Sequence, residues 1–343
     1  MTRMDRFVFT LCVAFLVVLP AVAVAAGADK VVMRNGDQIT GEIQEIWDGD
    51  LIIEPEYDDD VKVSLPLAEV SYIESEREFD VTWPDRTEVV VKLLGPSKDG
   101  RQLIEVNGEK RIIALGRIDE LDEIDEYFDW ESHIDLNGSI DRGNTDSTNV
   151  KFFADTNLKL GDHRHIASMT FAREEQNGIR TKEQDLLQYN YNWLFNQPWF
   201  LGATGSAERD PIKDLDYRFI AGGTLGNDLF NRARVFLSVQ FGLGYLAEKN
   251  TTNESQESVV GIWVLRYRQK FLKDLEFYHD DSVIHYITGR DNTVLKTTTG
   301  LRYEITDRLY ANTSLDYDYE TEPAGIGVEN DDLTWVFGLG LEF

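Results

Sequence analysis

The side chains best suited to proton-transfer chemistry in this sequence are its five histidines, because an imidazole gains and loses a proton near neutral pH. His279 is followed directly by Asp280 and Asp281, and His285 comes shortly after them. No serine motif accompanies this group, so the nucleophile of a hydrolase is missing from the pattern. The other histidines are scattered: His133, His163 and His165. We therefore predict no catalytic residues and no enzymatic activity.

Candidates for metal, cofactor or nucleic-acid binding are equally weak. The triplet Asp58-Asp59-Asp60 offers carboxylate oxygens to Ca²⁺, but it lacks the spaced ligands and the glycine of a dedicated loop, so a hairpin tip is the better interpretation. The single cysteine, Cys12, lies in an N-terminal apolar run. The formal net charge of -28 disfavours nucleic acid, whose phosphates attract Lys and Arg. We predict no metal, no cofactor and no nucleic-acid partner.

The first residues have the features of an export signal. Arg3 and Arg6 precede an apolar run over residues 7–24, and small residues follow it. An uncleaved anchor helix is the alternative, but the run is short and is interrupted by Pro20. We predict a signal peptide at residues 1–28, and hence a mature chain without cysteine.

Residues 29–125 predict a small all-β domain. Asn35-Gly36 is typical of a tight hairpin, and short apolar strands follow one another between turns. The order of strands recurs, which predicts two copies of one SH3-like or Sm-like unit, or a single sheet built from both. Such folds usually bind or pack rather than catalyse. The predicted strands cover residues 30–33, 39–46, 51–54, 61–65, 70–74, 81–83, 89–93, 103–106, 111–115 and 118–121.

The end of the chain has the clearest periodicity. Trp335, Phe337, Leu339, Leu341 and Phe343 occupy every second position, and small or polar residues occupy most positions between them. A strand with one face in lipid and the other in an enclosed lumen has this period of two. An ordinary buried edge strand is the alternative interpretation.

Similar alternation recurs upstream and predicts a closed antiparallel transmembrane β-barrel over residues 126–343. Because the strand number is even, both ends of the barrel segment lie on one side of the membrane. We expect short turns on that side and longer polar loops at 174–182, 209–215, 248–256 and 321–331 on the other. The twelve predicted strands are 132–141, 147–160, 163–174, 183–196, 199–208, 216–227, 232–247, 257–270, 275–287, 293–305, 309–320 and 332–343.

The same alternation predicts which charged side chains face the lumen. Both signs of charge are present in comparable number, and confined charges must pair or stay hydrated, so we expect an ion-pair network across the barrel. The candidate lumen residues are Lys151, Asp155, Lys159, Arg218, Arg266, Arg268, Arg302, Glu304, Asp316, Asp318 and Glu320.

Short glycine-rich motifs give a resemblance to a bacterial family. The run Gly143, Asn144, Thr145 and Asp146 in the first predicted hairpin, supported by the terminal strand, resembles the salt-induced outer-membrane protein family, a domain of unknown function. The resemblance covers roughly residues 130–343 and implies an outer-membrane barrel without catalytic residues. The terminal strand ending in Phe343 also resembles the signal recognised by barrel-assembly machinery.

These observations predict a protein of the cell outer membrane with its N-terminal domain in the periplasm. The predicted function is a narrow pore or a structural barrel linked to envelope or osmotic adaptation. One alternative is an envelope-anchoring or adhesive barrel whose first domain binds a periplasmic protein or peptidoglycan, and another is an outer-membrane hydrolase. The expected partners are the outer-membrane bilayer and the barrel-assembly machinery.

Overall fold

A computed structural model of the chain describes residues 28–343 except 58–60, 86, 125–127, 142–146, 233, 253, 307 and 324–327. The chain separates into two compact units, one up to Ile124 and one from Asp125 onward. None of the described helical segments has the length and hydropathy of a membrane-spanning helix. The predicted signal peptide, Asp58–Asp60 and Gly143–Asp146 lie outside the described residues, except for residue 28.

The N-terminal unit is one nine-stranded antiparallel sheet, ordered β4-β3-β2-β1-β5-β6-β7-β8, with β9 pairing with both β2 and β5. Its strands are β1 (Asp29–Met33), β2 (Gln38–Trp47), β3 (Asp50–Pro55), β4 (Val63–Pro66), β5 (Val70–Thr82), β6 (Glu88–Pro96), β7 (Gln102–Val106), β8 (Glu109–Ile113) and β9 (Glu120–Glu123). This confirms the all-β prediction for this part of the chain.

The strand order of this unit repeats. A 3₁₀ turn at Leu67–Glu69 precedes β5, and a second at Leu115–Arg117 precedes β9. Four strands, a 3₁₀ turn and a further strand thus occur twice, and β5 ends the first set and begins the second. The prediction of two separate strands at 70–74 and 81–83 is therefore wrong. The chain continues between them as the single long strand β5, which pairs with β1, β6 and β9.

A buried charge lies inside the N-terminal unit. The Asp29 side chain is fully buried, accepts a hydrogen bond from the Ile43 backbone N–H at 2.8 Å, and pairs with Arg77. Arg77 also donates to Glu123 at 2.5 Å. Burial alone would lower the pKa of Arg77, but its hydrogen bonds and charge pairing with Asp29 and Glu123 raise that pKa above the ordinary arginine value.

The second unit is a closed barrel of twelve antiparallel strands, each paired with its sequence neighbours, and β21 pairs back with β10. The predicted barrel and its strand number are confirmed. The strands are β10 (Phe128–Asp141), β11 (Ser147–Leu160), β12 (His163–Gln176), β13 (Ile179–Asn196), β14 (Trp199–Asp210), β15 (Leu215–Arg232), β16 (Val235–Asn250), β17 (Ser255–Leu272), β18 (Leu275–Tyr286), β19 (Thr293–Glu304), β20 (Leu309–Glu320) and β21 (Asp331–Glu342).

We call the end of the barrel that holds the start of β10 and the end of β21 the near end, and the opposite end the far end. The predicted long loop at 174–182 is wrong, because β12 and β13 continue through it to a two-residue turn. Asn177 and Gly178 have φ angles of 51° and 78°, as an Asn-Gly hairpin turn requires. The gap between the strands predicted at 216–227 and 232–247 is also strand, since β15 extends to Arg232.

The barrel closes through a short ladder between its first and last strands, which we call the seam. Its register runs from His133 opposite Glu342 to Asn137 opposite Gly338. Backbone hydrogen bonds between Ser132 and Phe343, at 3.1 and 3.0 Å, extend the pairing at the near end. A Cβ atom at Gly338 would overlap the Asn137 amide oxygen and lie 2.6 Å from the Leu136 carbonyl oxygen, so glycine is required there.

Candidate functional site in the barrel interior

The barrel strands separate an apolar outer face from a polar interior. On β21 the side chains of Trp335, Phe337 and Leu339 are exposed on the outside by 64%, 56% and 54%, whereas Val336 between them is 6% exposed. Leu341 and Phe343 continue the exposed series. The period of two follows from the pleat of the strand, which sends successive side chains to opposite faces.

At the far end, charged side chains meet across the interior in what we call the Arg218 cluster. Its members are Glu208, Arg218, Glu248, Arg290, Lys296, Asp318 and Glu320. Arg218 is 4% exposed and donates to Glu248 at 2.9 Å and to Glu320 at 2.7 Å. Lys296 on β19 donates to Glu208 on β14 at 2.6 Å. Since β14 and β19 are not neighbours in the barrel order, these side chains cross the lumen.

At the near end, a second group surrounds Arg302, and we call it the Arg302 cluster. Its members are His133, Asp155, Glu276, Tyr278, Arg302 and Tyr310. Arg302 lies 3.1 Å from Glu276 and 3.7 Å from Asp155. Its guanidinium also lies 4.6 and 5.5 Å from the ring centres of Tyr278 and Tyr310, so cation–π contacts add to the ion pairs.

Further ion pairs lie between these clusters and beside them. Lys151 on β11 pairs with Asp316 on β20, and Arg268 forms two hydrogen bonds to Asp280, at 3.0 and 2.8 Å. Arg164 pairs with Asp228 through two hydrogen bonds as well, at 3.1 and 3.0 Å. Such bidentate arginine–carboxylate contacts are stronger and more directional than single hydrogen bonds.

Of the eleven predicted lumen residues, the structure brings four carboxylates and four cations into the pairs described above: Lys151, Asp155, Arg218, Arg268, Arg302, Asp316, Asp318 and Glu320. The remaining three, Lys159, Arg266 and Glu304, lie outside the two clusters. Arg266 stands opposite Asp280 in the ladder between β17 and β18.

Sequence reasoning missed several members of the clusters. Four of them lie at positions where the alternation along the strand already predicts a lumen-facing side chain: Glu208, Glu248, Glu276 and Lys296. Arg290 follows β18 in a loop, where no strand period applies, and it still donates to Glu248 at 2.8 Å.

A polar group interrupts the outer face on β18 and β19. His279 lies 2.7 Å from the Thr299 hydroxyl through Nδ1 and 3.0 Å from Asp281 through Nε2. His285, on the same face, contacts the Thr293 hydroxyl at 2.9 Å. Ionisable side chains on the outer face of a barrel are costly where lipid surrounds them, which makes this group a functional candidate.

The fold and the two-faced strands define the class: a closed antiparallel β-barrel with an apolar exterior and an ion-paired interior. The chain belongs to the family described as "Protein of unknown function, DUF481", whose model matches residues 134–343. Among curated proteins no sequence relative is found.

Solved structures similar to the chain include outer-membrane proteins. The translocator domain of the autotransporter NalP from Neisseria meningitidis is 13% identical with a TM-score of 0.36, covering 62% of this chain and 86% of its own. The NanC porin is 12% identical with a TM-score of 0.38, covering 61% and 98%. An anion-selective porin from Comamonas acidovorans is 9% identical with a TM-score of 0.32, covering 63% and 99%. Similarity at this level assigns no site and no function.

Proposed function

We propose that this protein is an outer-membrane β-barrel with a narrow, ion-paired lumen that conducts water and small ions and serves envelope or osmotic adaptation. The observation that carries the proposal is the set of ion pairs formed across the barrel interior. Lys296 with Glu208, and Arg218 with Glu320, join strands that are not neighbours. Because these ion pairs span the lumen near the far end, bulky solutes have no room to pass.

The apolar outer face supports membrane embedding. Side chains such as Phe241, Leu243, Trp263, Leu333 and Trp335 are each at least 40% exposed on the outside of the barrel. In water, burying such a side chain stabilises a protein by roughly 1.5–3 kcal/mol, so a whole face of them would drive association or aggregation. A bilayer covers this surface without a protein partner, and closure of β21 on β10 pairs the first and last strands along the seam.

The interior charges support a conductance that depends on salt. The Lys296 and Glu320 side chains retain 21% and 16% exposure, so water reaches the pairs. Dissolved ions weaken such partly hydrated pairs by screening and by competing for the charged groups. We expect side chains of the Arg218 cluster to separate more often at high salt, so the conductance rises more steeply than that of the bulk solution.

Planar-bilayer recordings on the full chain test this proposal. Between about 0.1 and 1 M KCl we expect small currents that increase faster than the bulk conductivity. Glu320→Gln should raise the current at low salt, because Arg218 and Arg290 each lose a partner. Asp185→Asn is the matched control, since Asp185 pairs with Arg173 on the outer surface. Absence of current at every salt concentration would refute the pore.

The N-terminal unit supports a second element of the proposal, a periplasmic domain that binds the cell wall or a periplasmic protein. Both ends of the barrel segment lie at the near end, so a chain exported through the inner membrane would keep this unit on the periplasmic side. Sedimentation of the full chain with purified peptidoglycan measures this directly. If the protein stays in the supernatant, the anchoring role is excluded for that ligand.

One observation favours a second candidate function, hydrolysis of lipid esters at the outer face. The hydroxyl of Thr299, the imidazole of His279 and the carboxylate of Asp281 form a connected series of hydrogen bonds, the arrangement that activates a hydroxyl nucleophile. His285 contacts a threonine but makes no described contact with a carboxylate, so His285→Ala is a matched control for His279→Ala. Fatty acid release lost only in His279→Ala would support this candidate, and no release by the unaltered protein would exclude it.

A further inference from the structure

We infer that the seam of the barrel binds a divalent transition-metal ion, with Glu131, His133 and Glu342 as its ligands. One ligand atom from each of these residues lies within 4.8 Å of those of the other two. Glu131 and His133 belong to β10 and Glu342 to β21, so a shared ion would join the first and last strands of the barrel. This site is independent of whether the lumen conducts.

The histidine of this group is held as a metal-binding histidine usually is. His133 is 5% exposed, and its Nδ1 lies 3.4 Å from the Asp155 carboxylate. A carboxylate that accepts the Nδ1 proton fixes the tautomer and leaves the Nε2 lone pair free to bind a metal. That Nε2 atom faces Glu131, at 3.5 Å from its carboxylate oxygen.

The charges around the group favour a cation. Among the described residues neither Glu131 nor Glu342 forms an ion pair with a Lys or Arg, and the ion-pair partner of Glu131 is His133. Lys270 lies close enough to interact electrostatically with both carboxylates, but it is shared with Glu276 and Glu304, so carboxylates outnumber cations around the group. Arg302 approaches His133 Nε2 to 3.5 Å, a long contact that a bound metal would replace. Arg302 would keep Glu276 at 3.1 Å and the Tyr278 ring at 4.6 Å, so its own charge remains neutralised.

The ligand types select the class of metal. One imidazole and two carboxylates suit Zn²⁺ or Mn²⁺ and suit Ca²⁺ poorly, because Ca²⁺ prefers six to eight oxygen ligands. Three protein ligands leave a coordination position for water, and the half-exposed Glu131 side chain leaves a path from solvent. The ion would act on a short ladder, since the described pairing of β10 with β21 runs from His133 to Asn137 and from Gly338 to Glu342, with the Ser132–Phe343 hydrogen bonds beyond it.

The test uses the full chain folded in detergent, titrated with Zn²⁺ after treatment with a chelator. We expect one Zn²⁺ per chain by elemental analysis after dialysis, a higher unfolding temperature with Zn²⁺, and little effect of equimolar Ca²⁺. Glu342→Gln should weaken Zn²⁺ binding at least about tenfold, as should Glu131→Gln, in line with the loss caused by disturbing even an outer-shell partner. Glu322→Gln, an exposed far-end variant, should bind Zn²⁺ as the unaltered chain does.

Folding is checked separately by the heat-dependent electrophoretic mobility of each variant, so loss of the barrel is distinguished from loss of the ion. If a Glu342→Gln barrel does not fold, the unaltered chain still decides the question through its zinc content. Less than one zinc per folded chain, or equal binding by Glu342→Gln and Glu322→Gln, would overturn the inference.

Discussion

Replacing Arg218 by methionine is expected to destabilise the barrel and to change its ion preference. The Arg218 side chain is 4% exposed and lies 2.7, 2.9 and 3.8 Å from Glu320, Glu248 and Glu208. Removing one partner of a buried ion pair costs about 3–5 kcal/mol, because the remaining charge has lost both water and its counter-ion. Arg290 and Lys296 still contact these carboxylates, so we expect the lower value, about 3 kcal/mol, or roughly a 100-fold change in the folding equilibrium.

Reversible denaturant unfolding of the barrel in lipid vesicles measures this change. Arg173→Met is the control, because Arg173 pairs with Asp185 on the outer surface and is 37% exposed, so its loss should cost less than about 1 kcal/mol. In Arg218→Met/Glu320→Gln the effects should be non-additive by at least about 1 kcal/mol, since the two residues interact directly. Equal stability of Arg218→Met and Arg173→Met, with unchanged ion selectivity, would refute the account of the cluster.

Three further changes test other parts of the structure. Gly338→Ala should prevent barrel closure, seen as loss of heat-dependent electrophoretic mobility, whereas Gly223→Ala should be tolerated because a Cβ atom at that position would have no neighbour within 4 Å. Arg77→Met should destabilise the N-terminal unit by about 3–5 kcal/mol in pulse proteolysis, and the exposed Arg101→Met by less than about 1 kcal/mol. Because folding raises the pKa of Arg77, its contribution to the free energy of unfolding should be complete at neutral pH. That contribution should be lost only in strong alkali, as the pH rises through the pKa of Arg77 in the folded protein. Deletion of Phe343 should lower the fraction of barrel assembled in cells, because the Phe343 backbone pairs with Ser132 at the seam. Unchanged assembly would show that Phe343 is not needed for barrel assembly.

The barrel could be predicted closely from the sequence because alternation of apolar and polar residues is a local property of each strand. Strand β11 (Ser147–Leu160) and strand β20 (Leu309–Glu320) begin and end at the predicted residues. Loop lengths were less predictable, because residues 174–182 contain a single large apolar residue, Ile179, and a polar strand has the same composition as a loop. A strand that projects past the bilayer needs no apolar face, so its extension leaves no hydrophobic signal.

The interior network could be predicted only in part. The alternation of side chains along a strand identifies a lumen-facing residue such as Asp316. It does not show that Lys151 is the partner of Asp316, because strand pairing and barrel shear decide which side chains meet across the lumen. The proposed metal site was not predicted at all. His133 and Glu342 are separated by most of the barrel sequence and become neighbours only when β21 closes on β10.

In the proposed membrane-embedded barrel, alternate side chains of one strand face lipid and an aqueous interior, and every proposal for the barrel depends on this arrangement. The most direct measurement places a spin label at Leu315→Cys or at Ser314→Cys, adjacent residues of β20 that are 44% and 8% exposed. In vesicles, the label at 315 should be accessible to dissolved oxygen and the label at 314 to a water-soluble relaxation agent. Equal exposure of both labels to the water-soluble agent would contradict the account.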